Sequence, residues 1–345
     1  MILRKDRPDG AKGRRARSCK AVRLQVAAIL VFGILAAAGT TSAKPETARW
    51  EARCDGIEEP YFSIVWLTDT QTMTEHPKLY PALKSMFRWI IFSREQCRTI
   101  CVIHTGDLVE YGGNEDYWAM ITPLIEEVSE FLPFLAVAGN HDLDHEDYDW
   151  SFFLSQPFMT ERPGSELYDQ GKGGYVLMHA CGIDVLAVGL GYDVTGDEAI
   201  AWAKGVFDDH PDAVGVFVTH SYLSYATSLT STYTKNGEAF RDLLVASCPS
   251  IRFVLSGHVS GTGYITEQYD DDGDGLEERT VHVLRYNYQE STSLRRAGFL
   301  RILTVFPGSD RLKVYTYSPY LDLEVYDYRF AREETFEIYG LAQAK

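Results

Sequence analysis

The sequence predicts an α/β fold, a four-layer αββα sandwich in which two mixed β-sheets pack face to face with helices on both outer sides. Three observations predict it. Strand-like and helix-like periodicity alternate through the first part, and the chain beyond His258 reads as successive hairpins. Five apolar, strand-like runs also end on residues able to bind a metal: Asp69, Asp107, Asn140, His220 and His258. In α/β sheets ligands gather outside the carboxyl ends of strands, so these distant residues can converge. Mixed carboxylate, amide and imidazole donors point to a divalent transition metal rather than a nucleophilic triad.

The elements follow in order. A strand is expected over Phe62 to Asp69, then a helix from Leu79 to Phe92, where apolar residues recur at helical spacing. The strand to Asp107, a helix from Tyr117 to Phe131 and the strand to Asn140 complete a βαβαβ opening. YVLMHA and IDVLAVGL read as strands, followed by a helix over Asp197 to Phe207, the strand to His220, a helix around Glu238 to Ala246 and the strand to His258. GYITEQY, TVHVLRYNY, FLRILTVF and RLKVYTY supply antiparallel sheet, with the acidic turn DDDGDG between the first two. Without internal repeats, heptads or a low-complexity linker, residues 61–345 read as one catalytic domain, preceded by a short extension over 44–60.

Residues 1–43 differ in kind. Nine Lys and Arg residues accompany the apolar run VAAILVFGILAAAG, which ends before Thr41-Ser42-Ala43. This is the layout of an export signal cleaved after Ala43; the run is short for a span, which needs about 20 residues. The expected location is periplasmic or extracellular, with no transmembrane helix after cleavage. Cleavage leaves 24 basic against 47 acidic residues, a formal charge of −23, which argues against nucleic-acid binding. Of the cysteines that remain, Cys54, Cys97, Cys101, Cys181 and Cys248, the odd count leaves at least one free or bridged to another chain. Cys181 and Cys248, in or beside apolar runs, read as buried hydrophobic cysteines.

Two blocks carry the chemistry. In Gly106-Asp107 the glycine lets the backbone turn out of its strand so that the carboxylate can reach inward. Gly139-Asn140-His141-Asp142 offers a neutral oxygen donor, an imidazole that exchanges protons near neutral pH and a carboxylate placed to fix its tautomer. Alone, each block could be a cap or a turn.

Together with Asp69-Thr70-Gln71, His220 and Gly257-His258, these blocks resemble the calcineurin-like metallophosphoesterases in order and spacing over Phe62 to Asp322. Asp-Thr-Gln in the first block is similar to exported bacterial members. The resemblance implies that Asp69, Gln71 and Asp107 hold one divalent cation and that Asp107, Asn140, His220 and His258 hold another, with Asp107 bridging. It implies a phosphomonoester or phosphodiester hydrolase using metal-activated water, His141 assisting the leaving group and Asp142 behind it. The substrate would be a phosphorylated small molecule or envelope component. Mn, Fe or Zn are the leading ions, with Mg and Ca after them, and one or two would bind.

Two positions depart from the family pattern. Gln71 stands where His is commoner, which favours harder ions such as Mn or Mg. Ser260 stands where a second His is usual and is a poorer donor. Water, a swing of His282 or a weak first site would follow from Ser260. It also motivates a second reading, a metal-binding pseudoenzyme that recognises a phosphorylated ligand. A structural envelope protein would not explain five donor-tipped strands. His104 reads equally as a brace for Asp107 or a satisfied core histidine, and His145 as part of a solvated loop. Asp270 to Gly275 begins like a calcium loop, but Val281 stands where an EF-hand needs Glu, so it reads as a polar hairpin turn. Tyr111, Trp118, Tyr222 and Tyr264 lie near the metal motifs, where they line a substrate cleft or, as is commoner for aromatics, belong to the core.

Overall fold

The computed structural model describes residues 50–52, 59–143, 149–159, 167–225, 232–288, 297–324, 326–327, 332–333 and 336–339. The expected signal peptide over 1–43, Cys54 and His145 lie outside them. The first elements are β1 (Trp50–Ala52), β2 (Phe62–Leu67), α1 (Gln71–Glu75), α2 (Tyr80–Cys97), β3 (Thr99–His104), α3 (Glu115–Ser129), β4 (Phe134–Ala136) and α4 (Ser151–Leu154). β5 (Leu167–Tyr168), β6 (Gly173–Ala180), β7 (Ile183–Leu190), α5 (Asp197–Asp208), β8 (Val214–Thr219), α6 (Lys235–Leu243) and β9 (Ile251–Ser256) follow. The hairpins are β10 (Gly261–Tyr269), β11 (Arg279–Asn287), β12 (Leu300–Phe306) and β13 (Arg311–Ser318), with short strands β14 (Leu323–Glu324), β15 (Tyr326–Asp327), β16 (Arg332–Glu333) and β17 (Phe336–Tyr339) after them.

One sheet runs β14-β13-β12-β2-β3-β4, with β17 also on β13; the other runs β1-β6-β7-β8-β9-β11-β10, with β5 on β6. Both are mixed. β2, β3 and β4 are parallel in the first, as are β7, β8 and β9 in the second, so all five donor-tipped strands point the same way within their sheets.

Period-two alternation builds the layers. In β2, Phe62, Ile64 and Trp66 enter the core between the sheets, while Val65 and Leu67 face the α2 and α3 residues Phe87, Ile90, Ile121 and Ile125. In β8, Val216 and Val218 enter the inter-sheet core, and Phe217 packs with Ala203 and Phe207 of α5 and Phe240 of α6. Two sheets inside and helices outside give the predicted αββα order.

Several boundaries differ from expectation for visible reasons. β4 stops at Ala136 because the chain leaves the sheet to pack Gly139 on Asp107. α2 continues past Phe92 through the polar turn SREQC and ends where Arg98 turns left-handed, at φ 52°. α6 starts early because Thr234 accepts a hydrogen bond from Gly237 N–H. Trp50–Ala52, expected within an extension, adds a parallel edge strand to β6. No helix among the described residues is long and apolar enough to cross a membrane.

Candidate metal centre

Each donor sits just beyond its strand, and three of them, Asp69 (φ 49°), Asp107 (φ 57°) and His258 (φ 66°), adopt the left-handed backbone that side chains rarely tolerate. This conformation turns the chain abruptly out of the strand and aims the side chain inward. Glycine neighbours make room. A Cβ on Gly106 would stand 2.6 Å from Gly139 N and 2.8 Å from His220 Nδ1. One on Gly139 would collide with Asp107 Oδ1, and one on Gly257 with Asp69 Oδ2.

All six predicted ligands meet through direct contacts. His220 Nε2 lies 3.2 Å from Asp107 Oδ2, 3.2 Å from Asn140 Oδ1 and 3.2 Å from His258 Nδ1. Gln71 Nε2 donates to Asp107 Oδ2 at 3.1 Å, and His258 N–H reaches both oxygens of Asp69 at 3.2 Å. One atom each from Asp107, His220 and His258 falls within a 4.8 Å sphere of mutual distances.

The donor chemistry fits a cation. His220 Nδ1 is 2.7 Å from the Thr105 carbonyl, which can only accept, so the proton belongs on Nδ1. In the neutral ring, Nε2 then turns a lone pair on two fixed acceptors, Asp107 Oδ2 and Asn140 Oδ1, with His258 Nδ1 beside them, an arrangement that a cation in their midst reconciles. Burial, and then the charge of Asp107, push the Asp69 and Asp142 carboxyls up to about 7. Burial would also raise Asp107, but His220 and then His141 hold it below the usual carboxylate range. Burial opposes charge on His220, yet Asp107 and then Asp69 lift it to about 9.

The surroundings brace the cluster. His104, wholly buried, accepts the Gly106 N–H on Nδ1 at 3.2 Å, and its Nε2 is 3.1 Å from Thr70 Oγ1, which donates to Leu108 O. Burial pulls its pKa down to about 3, so it is a neutral brace and a satisfied core histidine at once.

Asp142 departs from expectation. Its carboxylate accepts hydrogen bonds from Leu108 N, Val109 N and Gly139 N at 2.7–3.0 Å, which ties the Asp107 turn to the Asn140 turn. The imidazole Nδ1 of His141 instead faces the Glu110 carbonyl at 3.0 Å and its carboxylate at 3.4 Å. Backbone amides outcompete the imidazole because two loop turns present three of them to one buried carboxylate. His282 does not swing in, because it lies mid-sheet opposite Phe253 with Nδ1 3.0 Å from Tyr264 OH.

Two residues were missed. Asn287, at the end of β11, donates from Nδ2 to Asp69 Oδ1 at 2.8 Å and to the His258 carbonyl at 2.9 Å. Its position at a strand's carboxyl end was the available signal. Tyr192 places its ring centroid 5.8 Å from that of His258 and 6.1 Å from that of His220. The acidic turn is a hairpin tip between β10 and β11, where carboxylates of Asp270, Asp272, Asp274 and Glu278 gather in solvent. Trp118 and Tyr222 are core, as read; Cys248 is buried and free, whereas Cys181 is disulfide-bonded rather than a buried thiol.

The sequence pattern of the calcineurin-like phosphoesterases matches residues 62–260. The chain belongs to that family. It is 30% identical to the protein YvnB of Bacillus subtilis (strain 168) over 273 residues, which cover 77% of this chain but 20% of YvnB. The chain thus spans about a fifth of that relative's length. Among solved structures it resembles the purple acid phosphatase PPD1 from yellow lupin (Lupinus luteus) seeds, with a TM-score of 0.54 and 14% identity over 82% of this chain and 54% of that one. This likeness shows the fold, two mixed sheets flanked by helices.

Proposed function

We propose that this phosphoesterase domain is an exported hydrolase of phosphomonoesters or phosphodiesters that depends on divalent metal. The observation that carries the reading is the convergence of Asp107, Asn140 and His258 on Nε2 of His220. Divalent cations bound there supply Lewis acidity and an activated water nucleophile for attack at phosphorus.

The chain's own part is positioning and proton transfer. His141 is anchored twice, its N–H donating to Asp107 Oδ1 at 2.9 Å and its Nδ1 lying beside Glu110. Burial opposes charge on this ring, but Asp107 and then Glu110 raise its pKa, so it holds the proton that a departing alkoxide requires. Asp142 holds the Asp107 and Asn140 turns in register without touching the substrate. Export is supported by the basic and apolar leader and by the disulfide at Cys181, since stable disulfides belong to oxidising compartments.

The test is release of nitrophenol from 4-nitrophenyl phosphate and bis(4-nitrophenyl) phosphate with Mn, Zn or Fe added. Metal-dependent turnover is expected, with His141→Ala slower by about 10²–10⁴-fold at unchanged metal content and His220→Ala losing metal. Metal binding without turnover under any of these conditions would favour the second reading motivated by Ser260, a module that binds a phosphorylated ligand without cleaving it.

A further inference from the structure

We propose that the alcohol part of the preferred phosphoester carries an ammonium group, seated in a cavity beside the metal centre; the proposal rests on the hydrolytic reading above and specifies its substrate class. The cavity measures about 440 Å³ and is walled by Leu143, Trp150, Tyr168 and Tyr192. That size suits a small organic group.

The cavity adjoins the metal centre through Tyr192. Tyr192 forms part of its wall and lies against the rings of both His220 and His258, and its N–H donates to Ala138 O at 2.9 Å, beside the Gly139-Asn140 turn. Leu143 follows His141 by two residues. A phosphoryl group at the ligand cluster, with its leaving oxygen toward His141, therefore has the cavity within reach of its ester substituent.

The lining selects by charge. Four carboxylates, Asp169, Asp193, Asp197 and Glu198, face one ammonium, Lys172. Lys172 is already engaged, its Nζ 2.7 Å from Asp169 Oδ2. Among the described residues, Asp193, Asp197 and Glu198 have no cationic partner; Asp193 meets the amide of Asn236 instead. An anionic substituent is repelled here, and a neutral one gains nothing from the carboxylates. A cationic substituent gains from the carboxylates and from the aromatic wall of Trp150, Tyr168 and Tyr192, whose Trp150 ring already carries the Lys172 ammonium 5.9 Å from its centroid.

The experiment compares phosphocholine and its methyl diester with the uncharged 3,3-dimethylbutyl counterparts, which have nearly the same shape, on the full metal-loaded chain. The expected kcat/KM favours the ammonium compounds by about tenfold or more, and in D197N/E198Q that ratio falls toward one. Equal rates for charged and uncharged compounds would overturn the cavity proposal while leaving hydrolysis intact. Should the nitrophenyl esters also resist cleavage, the hydrolytic reading fails, and calorimetric binding decides the cavity separately. Phosphocholine binding at least about tenfold tighter than its uncharged counterpart sustains the proposal, and equal or absent binding refutes it.

Discussion

Replacing Gly139 with alanine should disable the metal centre while leaving the fold in place. The new Cβ would stand 2.8 Å from Asp107 Cγ and closer still to Asp107 Oδ1 and the Asp107 amide nitrogen, whereas ordinary contact begins at 3.4 Å. The carboxyl carbon must therefore retreat by at least about 0.6 Å, and its oxygens by more. The backbone cannot absorb the shift freely, because Asp107 O accepts Gln71 N–H at 3.0 Å and the preceding carbonyl, Gly106 O, accepts Asp69 N–H at 3.0 Å. A displacement near 1 Å at a reacting centre costs about a hundredfold in rate. Overpacking of this kind costs about 1–3 kcal/mol, with each kcal/mol lowering Tm by roughly 2–4 °C. The assay pairs metal content by elemental analysis with turnover of a chromogenic phosphoester and thermal melting. Gly205→Ala is the control: its Cβ meets nothing within 4 Å on α5, and loss of a helical glycine should stabilise by about 0.5–1 kcal/mol. Full metal content and near wild-type turnover in Gly139→Ala would refute the claim that close backbone packing sets the position of Asp107.

Two further outcomes follow from the same centre. Chelation should lower Tm, since a ligand at a hundred times its dissociation constant contributes about 2.7 kcal/mol, and restoring Mn or Zn should recover it; a melting curve indifferent to both would contradict the centre's cation-binding role. Asp142→Ala should destabilise the fold by at least about 1–3 kcal/mol, because three buried N–H groups lose their acceptor, and Asp142→Asn should cost less; a normal Tm with altered pH–rate behaviour would instead return Asp142 to the imidazole.

The convergence of Asp69, Asp107, Asn140, His220 and His258 was legible because each terminates an apolar run, and apolar runs report strands whose carboxyl ends the topology gathers. Period-two alternation in β2 and β8 likewise made the layering readable. The partners of those donors were not. Asn287 looks like any polar strand end until the register of β11 beside β9 brings it to His258. Asp142, adjacent to His141 in sequence, is drawn away by amides from residues more than thirty positions earlier. The Cys181 disulfide escaped notice because apolar neighbours alone cannot distinguish a thiol from a bridged sulfur. β4 was read too long because the apolar letters Val137 and Ala138 continue past the strand's end at Ala136.

The order of strands in the first sheet bears on when this protein can begin to work. β2, which delivers Asp69, is flanked on one side by β3 and on the other by β12, whose Arg301 lies opposite Trp66. The imidazoles arrive with the other sheet. The strand that completes the hydrogen bonding of β2 therefore emerges from the amino end only after some three hundred residues, well after the last of the six donors, His258. The strand that carries Asp69 thus gains its second neighbour only from the chain's last fifth, which makes the seating of that carboxylate sensitive to changes far along the sequence.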